Sequence, residues 1–274
     1  MKPLLVVDGD SFAHRAFHAL PRTFRRADGG AANALIGFMS MLHDLWKAEQ
    51  PRAVVVAWDT LFVPTYRNEL LATYQSGREF DPEIVEQLGL LPDLVGSTGI
   101  RCAKGAGFEA DDFLAAAVVS ERAHGGTTLV ATSDRDAFQL AADDVTILQP
   151  VRGVSELRRI GPAEVRERYG VEPSQVTDFI ALRGDPSDKI PGARGIGEKT
   201  AATLLQTFPD LEAMIAAGRF EAEVEQLRTF RHIATLDPSA PLPELPDWEP
   251  DWEAGAAAAD ALGVGRLAAR LRVG

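Results

Sequence analysis

The stretch AVVVAWD, Ala53–Asp59, decides the fold: six apolar residues run without interruption and then meet an aspartate. A strand with one wet face alternates apolar and polar side chains, so an unbroken valine-rich run reads as a strand covered on both faces, the kind found inside parallel sheets. Outward from it the pattern recurs, in Pro3–Val7 ahead of Asp8 (LLVVD), in Thr127–Ala131 ahead of Asp134 (LVATSD), and in Val145–Leu148. Between the first two runs lies Ala31–Gln50, where Leu35, Met39, Leu42 and Trp46 fall at helical spacing. Between the second and third, Asp111–Ala123 reads as an Ala-rich helix ended by Gly125 and Gly126. Strand and helix alternate, which predicts an α/β fold with a parallel central sheet flanked by helices. From about Glu172 the character changes to helical stretches, Ser174–Leu182 and Thr200–Thr207, around a Gly/Pro-rich passage. The Pro-rich, acidic stretch from Pro238 is expected to run over the surface, and Ala256–Leu271 to close the chain as a helix. Two parts are therefore expected, an α/β core over 1–171 and a helical appendage over 172–274.

Parallel strands end at one edge of their sheet, and open α/β sheets place their ligand crevice there. Asp8, Asp59 and Asp134, with Asp136 close behind, are expected to converge on that edge. Any one of them could simply be a turn or cap residue, but all three strongest strands end this way. The sequence GFEADD adds Glu109, Asp111 and Asp112 at a helix start, where the dipole stabilises an acid by about 0.3–1 kcal/mol. Capping explains one acid there, not three. Asp185 and Asp188 in GDPSDKIPG form a further pair, of which one could be an N-cap. Carboxylates packed this densely raise one another's pKa and repel unless cations lie among them. Oxygen ligands without His or Cys point to Mg²⁺ or Mn²⁺ rather than zinc.

Directly after the acid pair comes GARGIGEKTAATLL, in which Gly195 and Gly197 leave main-chain N–H groups uncovered, Lys199 adds a charge and a helix starts by Thr200. Such a turn suits a phosphate group, although Gly-x-Gly alone also marks ordinary turns. The net charge of −12 argues at first against nucleic acid, because phosphate binding is driven by Lys and Arg. Concentrated in one metal-filled pocket, however, the acids leave room for a basic track beside it. Cys102 is the single cysteine, so an internal disulfide is impossible and a reducing compartment is expected. No run approaches the roughly 18 apolar residues of a membrane span, so the sequence reads as a soluble, cytoplasmic protein without membrane contact.

Together, LLVVDGDSFAHRAFHAL, VVVAWD, YRNELLATYQSGR, GFEADD, ATSDRDAFQL, GDPSDKIPGARGIGEKTA and LGVGRLAARL resemble the bacterial and phage 5′-nucleases of the flap endonuclease type. These occur free or as the front domain of DNA polymerase I, and the similarity covers essentially the whole chain. The resemblance implies a PIN-like 5′-nuclease core with a helix-three-turn-helix DNA-binding subdomain. It implies a structure-specific 5′-3′ exonuclease or flap endonuclease, serving replication and repair, that hydrolyses DNA with two divalent ions about 3.5–4 Å apart and leaves a 5′-phosphate. By resemblance Asp8, Asp59, Glu109 and Asp111 surround one ion, with Asp112 in the same acidic set. Asp134, Asp136, Asp185 and Asp188 lie toward the second, and Asp111 stands between the two. Arg15 and Arg78 become the cations on the transferring phosphate, and an arch over about 66–91 covers the 5′ strand. Tyr74 would stack on a base, while Lys189, Arg194, Gly195, Gly197, Lys199 and Thr200 would follow the duplex backbone, with K⁺ at the Gly-rich turn. The implied partners are 5′-flap, nicked or 5′-overhang duplexes and RNA–DNA hybrids, bound by a monomer.

One position departs from the family: Tyr74-Gln75-Ser76-Gly77-Arg78 stands where Tyr-Lys-x-x-Arg is usual. A preorganised cation near a transferring phosphate is worth on the order of 10²-fold in rate. Gln75→Lys is accordingly expected to accelerate cleavage, unless Arg67 or Arg78 already fills the role. Two rival readings exist. VVDGDS could carry a phosphatase nucleophile at Asp8, which leaves Asp185–Thr200 unexplained; a DNA-binding protein without catalysis is at odds with the complete acidic set.

Overall fold

The computed structural model describes residues 2–152 and 156–273. Its centre is a six-stranded sheet in the order β3-β2-β1-β4-β5-β6, formed by β1 (Leu4–Asp8), β2 (Ala53–Ala57), β3 (Arg101–Ala103), β4 (Thr128–Ala131), β5 (Val145–Arg152) and β6 (Glu156–Ile160). The first five strands are parallel and β6 runs antiparallel to β5, so the expected all-parallel sheet gains an antiparallel edge. Neither β3 nor β6 carried a sequence signal: β3 has three residues, and β6 exposes most of its ELRRI face at the sheet edge. The central strands β1, β2 and β4 are buried along their whole length, as their unbroken apolar runs require.

Side chains alternate across the sheet, and each face builds its own core. Leu5, Val7, Val54, Val56, Leu129 and Ala131 meet α1 (Gly9–Ala19), α2 (Asn33–Glu49) and α4 (Pro82–Gly96). Leu4, Val6, Val55, Val130 and Ile147 meet α5 (Ala110–Ala123) on the other face. That second core continues without a break into α6 (Pro162–Tyr169), α7 (Val176–Arg183), α8 (Glu198–Thr207), α9 (Leu211–Ala216) and α10 (Val224–Ala234). A short helix, α3 (Tyr66–Leu70), joins β2 to the segment ahead of α4.

Two expectations change here. The closing helix is a pair, α11 (Trp252–Ala261) and α12 (Gly265–Arg272), broken at Gly263, whose φ of +72° favours glycine. Trp252, Ala256, Leu267 and Leu271 pack it onto the α2/α4 face, so the end of the chain belongs with the α/β layers and not with the helical appendage. Part of the segment expected as an arch, 66–91, is core-packed helix instead. Asp81 caps α4 by accepting from Glu83 N at 2.9 Å, and Ile84, Leu88 and Leu91 bury one stripe of that helix, which leaves only the segment up to Phe80 over the strand ends. Among the described residues no helix is long and apolar enough to cross a membrane.

Candidate active site

In-register pairing brings the strand ends together: Val7 lies beside Val56 on one side and Ala131 on the other. Asp8 at the end of β1, Asp59 just past β2 and Asp134 just past β4 therefore open into one cavity of about 700 Å³. Glu109 and Asp111 enter it from the start of α5, Asp136 from the turn after β4, and Asp185 and Asp188 from the loop after α7. Eight of the nine predicted ligands line this cavity.

The ninth, Asp112, does not. It is fully buried and forms a two-point ion pair with Arg67 at 2.8 and 2.7 Å, while accepting from the main-chain N–H groups of Glu109 at 3.0 Å and Asp237 at 2.8 Å. All its lone pairs are engaged inside the protein, so it is a clamp behind the site. Arg67 completes that clamp by donating to Ile233 O at 2.9 Å, which removes it as a phosphate-facing cation.

Local chemistry holds the remaining acids. Asp8 caps α1, accepting from Ser11 N at 2.9 Å, and its other oxygen accepts from the Thr132 hydroxyl at 2.7 Å. Asp59 accepts from Ala110 N at 2.7 Å, which ties β2 to the first turn of α5. Glu109 accepts from the Tyr74 hydroxyl at 3.0 Å. Asp188 accepts from Gln75 Nε2 at 3.1 Å and from Arg78 at 2.9 Å, and Asp185 caps its own loop through Ser187 N at 2.8 Å. Asp111 stands apart, with a buried Oδ1 that has no hydrogen-bond partner among the described residues.

Burial, with neighbouring carboxylates adding to it, drives six of the cavity acids, Asp8, Asp59, Glu109, Asp111, Asp136 and Asp188, toward the neutral form. It pushes Asp8 and Glu109 up to about 7, against the hydrogen bonds from Thr132 and Ser11 in the first case and the Arg67 charge in the second. Asp111 and Asp136 lie well above the usual carboxylate range, and Asp59 and Asp188 are raised, in each case first by burial. Among the described residues no three His, Cys, Asp or Glu groups already close on one point as a finished metal cage. The donor set nevertheless fits hard divalent cations, because acids this buried and an unpartnered Asp111 oxygen leave ligand positions that the protein itself does not satisfy.

Several other expectations change. Tyr74 is buried rather than a base-stacking surface, and its hydroxyl lies between Glu109 and Gln75 Nε2, which donates to it at 2.9 Å. Arg15 donates to Val151 O at 2.6 Å and is not among the residues lining the cavity, whereas Arg78 is. Lys189, Arg194, Gly195, Gly197, Lys199 and Thr200 are all exposed along one loop and the start of α8. Lys189 reaches Ser76 Oγ at 3.2 Å, from a left-handed backbone with φ +58°. Asp10, the second acid of VVDGDS and part of the Asp-x-Asp that prompted the phosphatase alternative, was left out of the acidic set; it accepts from Asp59 N at 2.7 Å, and burial holds its carboxyl well above the usual range. Sequence reading missed Arg135, between two of the acids, and Arg183, whose guanidinium lies 5.2 Å from the Phe179 ring and 3.2 Å from Asp185; both line the cavity.

A parallel-sheet edge where buried carboxylates surround an open cavity is the layout of a metal-dependent phosphodiester hydrolase. Residues 3–170 match the 5′-3′ exonuclease N-terminal resolvase-like domain, and 171–251 match the 5′-3′ exonuclease C-terminal SAM fold. The chain belongs to the 5′-3′ exonuclease family. It is 34% identical to a 5′-3′ exonuclease of Mycobacterium tuberculosis over 79% of this chain and 74% of that one. DNA polymerase I of Mycobacterium leprae is 42% identical over 89% of this chain, which spans 27% of that protein's length. The fold is shared with the zinc-bound T5 5′-exonuclease at a TM-score of 0.72 and 20% identity, covering 99% of this chain and 97% of that one.

Proposed function

We propose that this nuclease hydrolyses DNA phosphodiesters at the junction of a duplex and a 5′ single strand, as a 5′-3′ exonuclease and flap endonuclease that leaves a 5′-phosphate. The observation that carries the reading is the convergence of Asp8, Asp59, Glu109, Asp111, Asp134, Asp136, Asp185 and Asp188 on one open cavity around the unpartnered Asp111 oxygen. Asp8, Asp59, Glu109 and Asp111 would hold one Mg²⁺ or Mn²⁺, and Asp134, Asp136, Asp185 and Asp188 a second. Bound there, the two ions would activate water and stabilise the leaving oxygen. Asp8 is poorly placed as a covalent nucleophile, since both of its oxygens already accept hydrogen bonds.

Around the ions the chain's own residues bind and orient. Arg78, at the cavity wall, can exchange Asp188 for a phosphate oxygen. Residues 172–237 would grip the duplex through the turn at Gly195 and Gly197. A side chain added at either glycine would meet nothing within 4 Å, and at Gly197 no positive φ asks for glycine, which supports close approach of a backbone phosphate or K⁺. Lys189, Arg194, Lys199 and Thr200 extend that contact. Substrates of this kind, 5′-flap, nicked and overhanging duplexes together with RNA–DNA hybrids, place a monomeric enzyme in replication and repair.

The test is cleavage of a 5′-end-labelled flap duplex with and without Mg²⁺ or Mn²⁺, beside Asp8→Asn and Asp134→Asn. Metal-dependent cutting near the junction, abolished in both variants while DNA binding persists, is expected. Near-normal turnover by either variant would remove the cluster from the reaction.

A further inference from the structure

Between Asp59 and Thr65 the chain turns outward and exposes apolar side chains beside an acidic, polar cavity. Phe62 is 78% exposed, its neighbour Val63 is 41% exposed, and Leu61 lines the cavity itself. Phe62 also has φ +63°, a backbone conformation that bulky L side chains rarely adopt. A tight turn closed by Val63 N donating to Thr60 O at 3.2 Å holds it there. Hydrophobic burial explains none of this, since the ring gains little cover from its own chain. Among the described residues its one aromatic neighbour is Phe80, whose ring centroid lies 6.4 Å away at 77°. Phe80 lines the cavity and rests on the α1 side against His14, at 5.6 Å between centroids.

We infer that Phe62, braced by Phe80, is a stacking platform for an unpaired nucleobase beside the scissile phosphate, an inference that rests on the nuclease reading above. The phosphates of a strand entering the cavity must face the carboxylate-held cations. The apolar surface at the rim then has to meet the other part of the nucleotide, the base, whose flat face stacks on aromatic rings without regard to sequence. Chain length limits which base. Phe62 is three steps along the chain from Asp59, so their Cα atoms lie within about 11 Å. At about 3.4 Å per stacked nucleotide, that distance is roughly three steps along a strand. The platform therefore takes a base within about three nucleotides of the phosphate that is cut. Phe62 guides the strand and takes no part in bond making or breaking.

A 5′-flap duplex carrying 2-aminopurine at successive positions around the junction tests this, with Ca²⁺ in place of Mg²⁺ to keep the substrate intact. Wild-type protein and Phe62→Tyr are expected to change the probe's fluorescence at a position within three nucleotides of the cut. Phe62→Ala is expected to lose that signal and to bind about 5- to 10-fold more weakly, the low end of base–aromatic stacking for a ring open on one side. An abasic site at the same position should weaken binding by wild type but not by Phe62→Ala. Because Phe62 is exposed, the alanine variant should melt at the wild-type temperature. Equal fluorescence and equal affinity for wild type and Phe62→Ala, with cleavage intact, overturn the platform and leave the nuclease reading standing. A wild-type protein that neither binds nor cuts the flap takes both down.

Discussion

Gln75 Nε2 donates to Asp188 Oδ1 at 3.1 Å and, with its second proton, to the Tyr74 hydroxyl at 2.9 Å. Because that hydroxyl donates in turn to Glu109 at 3.0 Å, one neutral amide links carboxylates proposed for the two different metal ions.

This geometry reverses the expectation formed from sequence for Gln75→Lys. An ammonium at that position would pair with Asp188 and compete with the cation that this carboxylate is proposed to hold. Gln75→Lys and Gln75→Ala are both expected to raise the Mn²⁺ concentration for half-maximal cleavage by about 10-fold, the usual effect of losing a group that orients a ligand. Faster single-turnover cleavage by Gln75→Lys at unchanged metal dependence would show the side chain facing phosphate instead.

Asp111 and Asp112 adjoin in sequence and should behave oppositely. Without metal Asp111 must take up a proton to be buried among these carboxylates, a cost that Asp111→Asn does not carry, so in chelator near neutral pH the variant should melt above wild type while cleavage is lost. Asp112→Asn strands the buried Arg67 and is expected to cost about 3–5 kcal/mol of stability. Thermal or urea denaturation of the two variants in chelator checks the ordering.

The raised carboxylates make metal-free stability depend on pH in a definite direction. Asp8 and Glu109 stay protonated up to about 7 in the folded chain, whereas in the unfolded chain they ionise near pH 4. The unfolded state therefore binds fewer protons across this window. Stability from these groups is full below about pH 4 and is lost as pH rises to about 7. Melting temperatures in chelator should carry this falling component, and Mg²⁺ or Mn²⁺ should remove it by stabilising the ionised forms. A site contribution that instead rises with pH, isolated by comparison with Asp8→Asn, would contradict the burial assigned here.

Lys199, exposed at the start of α8, is expected to contribute to duplex affinity without regard to base sequence. Lys199→Ala should weaken binding and lower the slope of log affinity against log salt by about one unit or less. Fluorescence anisotropy over a salt series measures both, and an unchanged slope returns Lys199 to the solvent.

The sequence by itself determined the central sheet and its acid-lined edge, because a strand buried on both faces must be apolar throughout. Asp8, Asp59 and Asp134 were legible as the places where such runs stop, and the gathering of Glu109, Asp111, Asp136, Asp185 and Asp188 could be read from local clusters of like charge. Tertiary structure alone decided which acids face the cavity. Asp111 and Asp112 look alike in GFEADD, but consecutive helix positions point about 100° apart. One therefore opens on the cavity while the other meets Arg67, a residue 45 positions away in sequence. The same holds for Tyr74, whose ring suggests a stacking surface until Glu109 is found beside its hydroxyl. It holds also for α4, whose apolar stripe became readable as core only once α1 and α2 supplied the surface that covers it. Periodicity reports that a side chain is to be buried; what it is buried against depends on residues distant in sequence, and the folded chain alone brings those together.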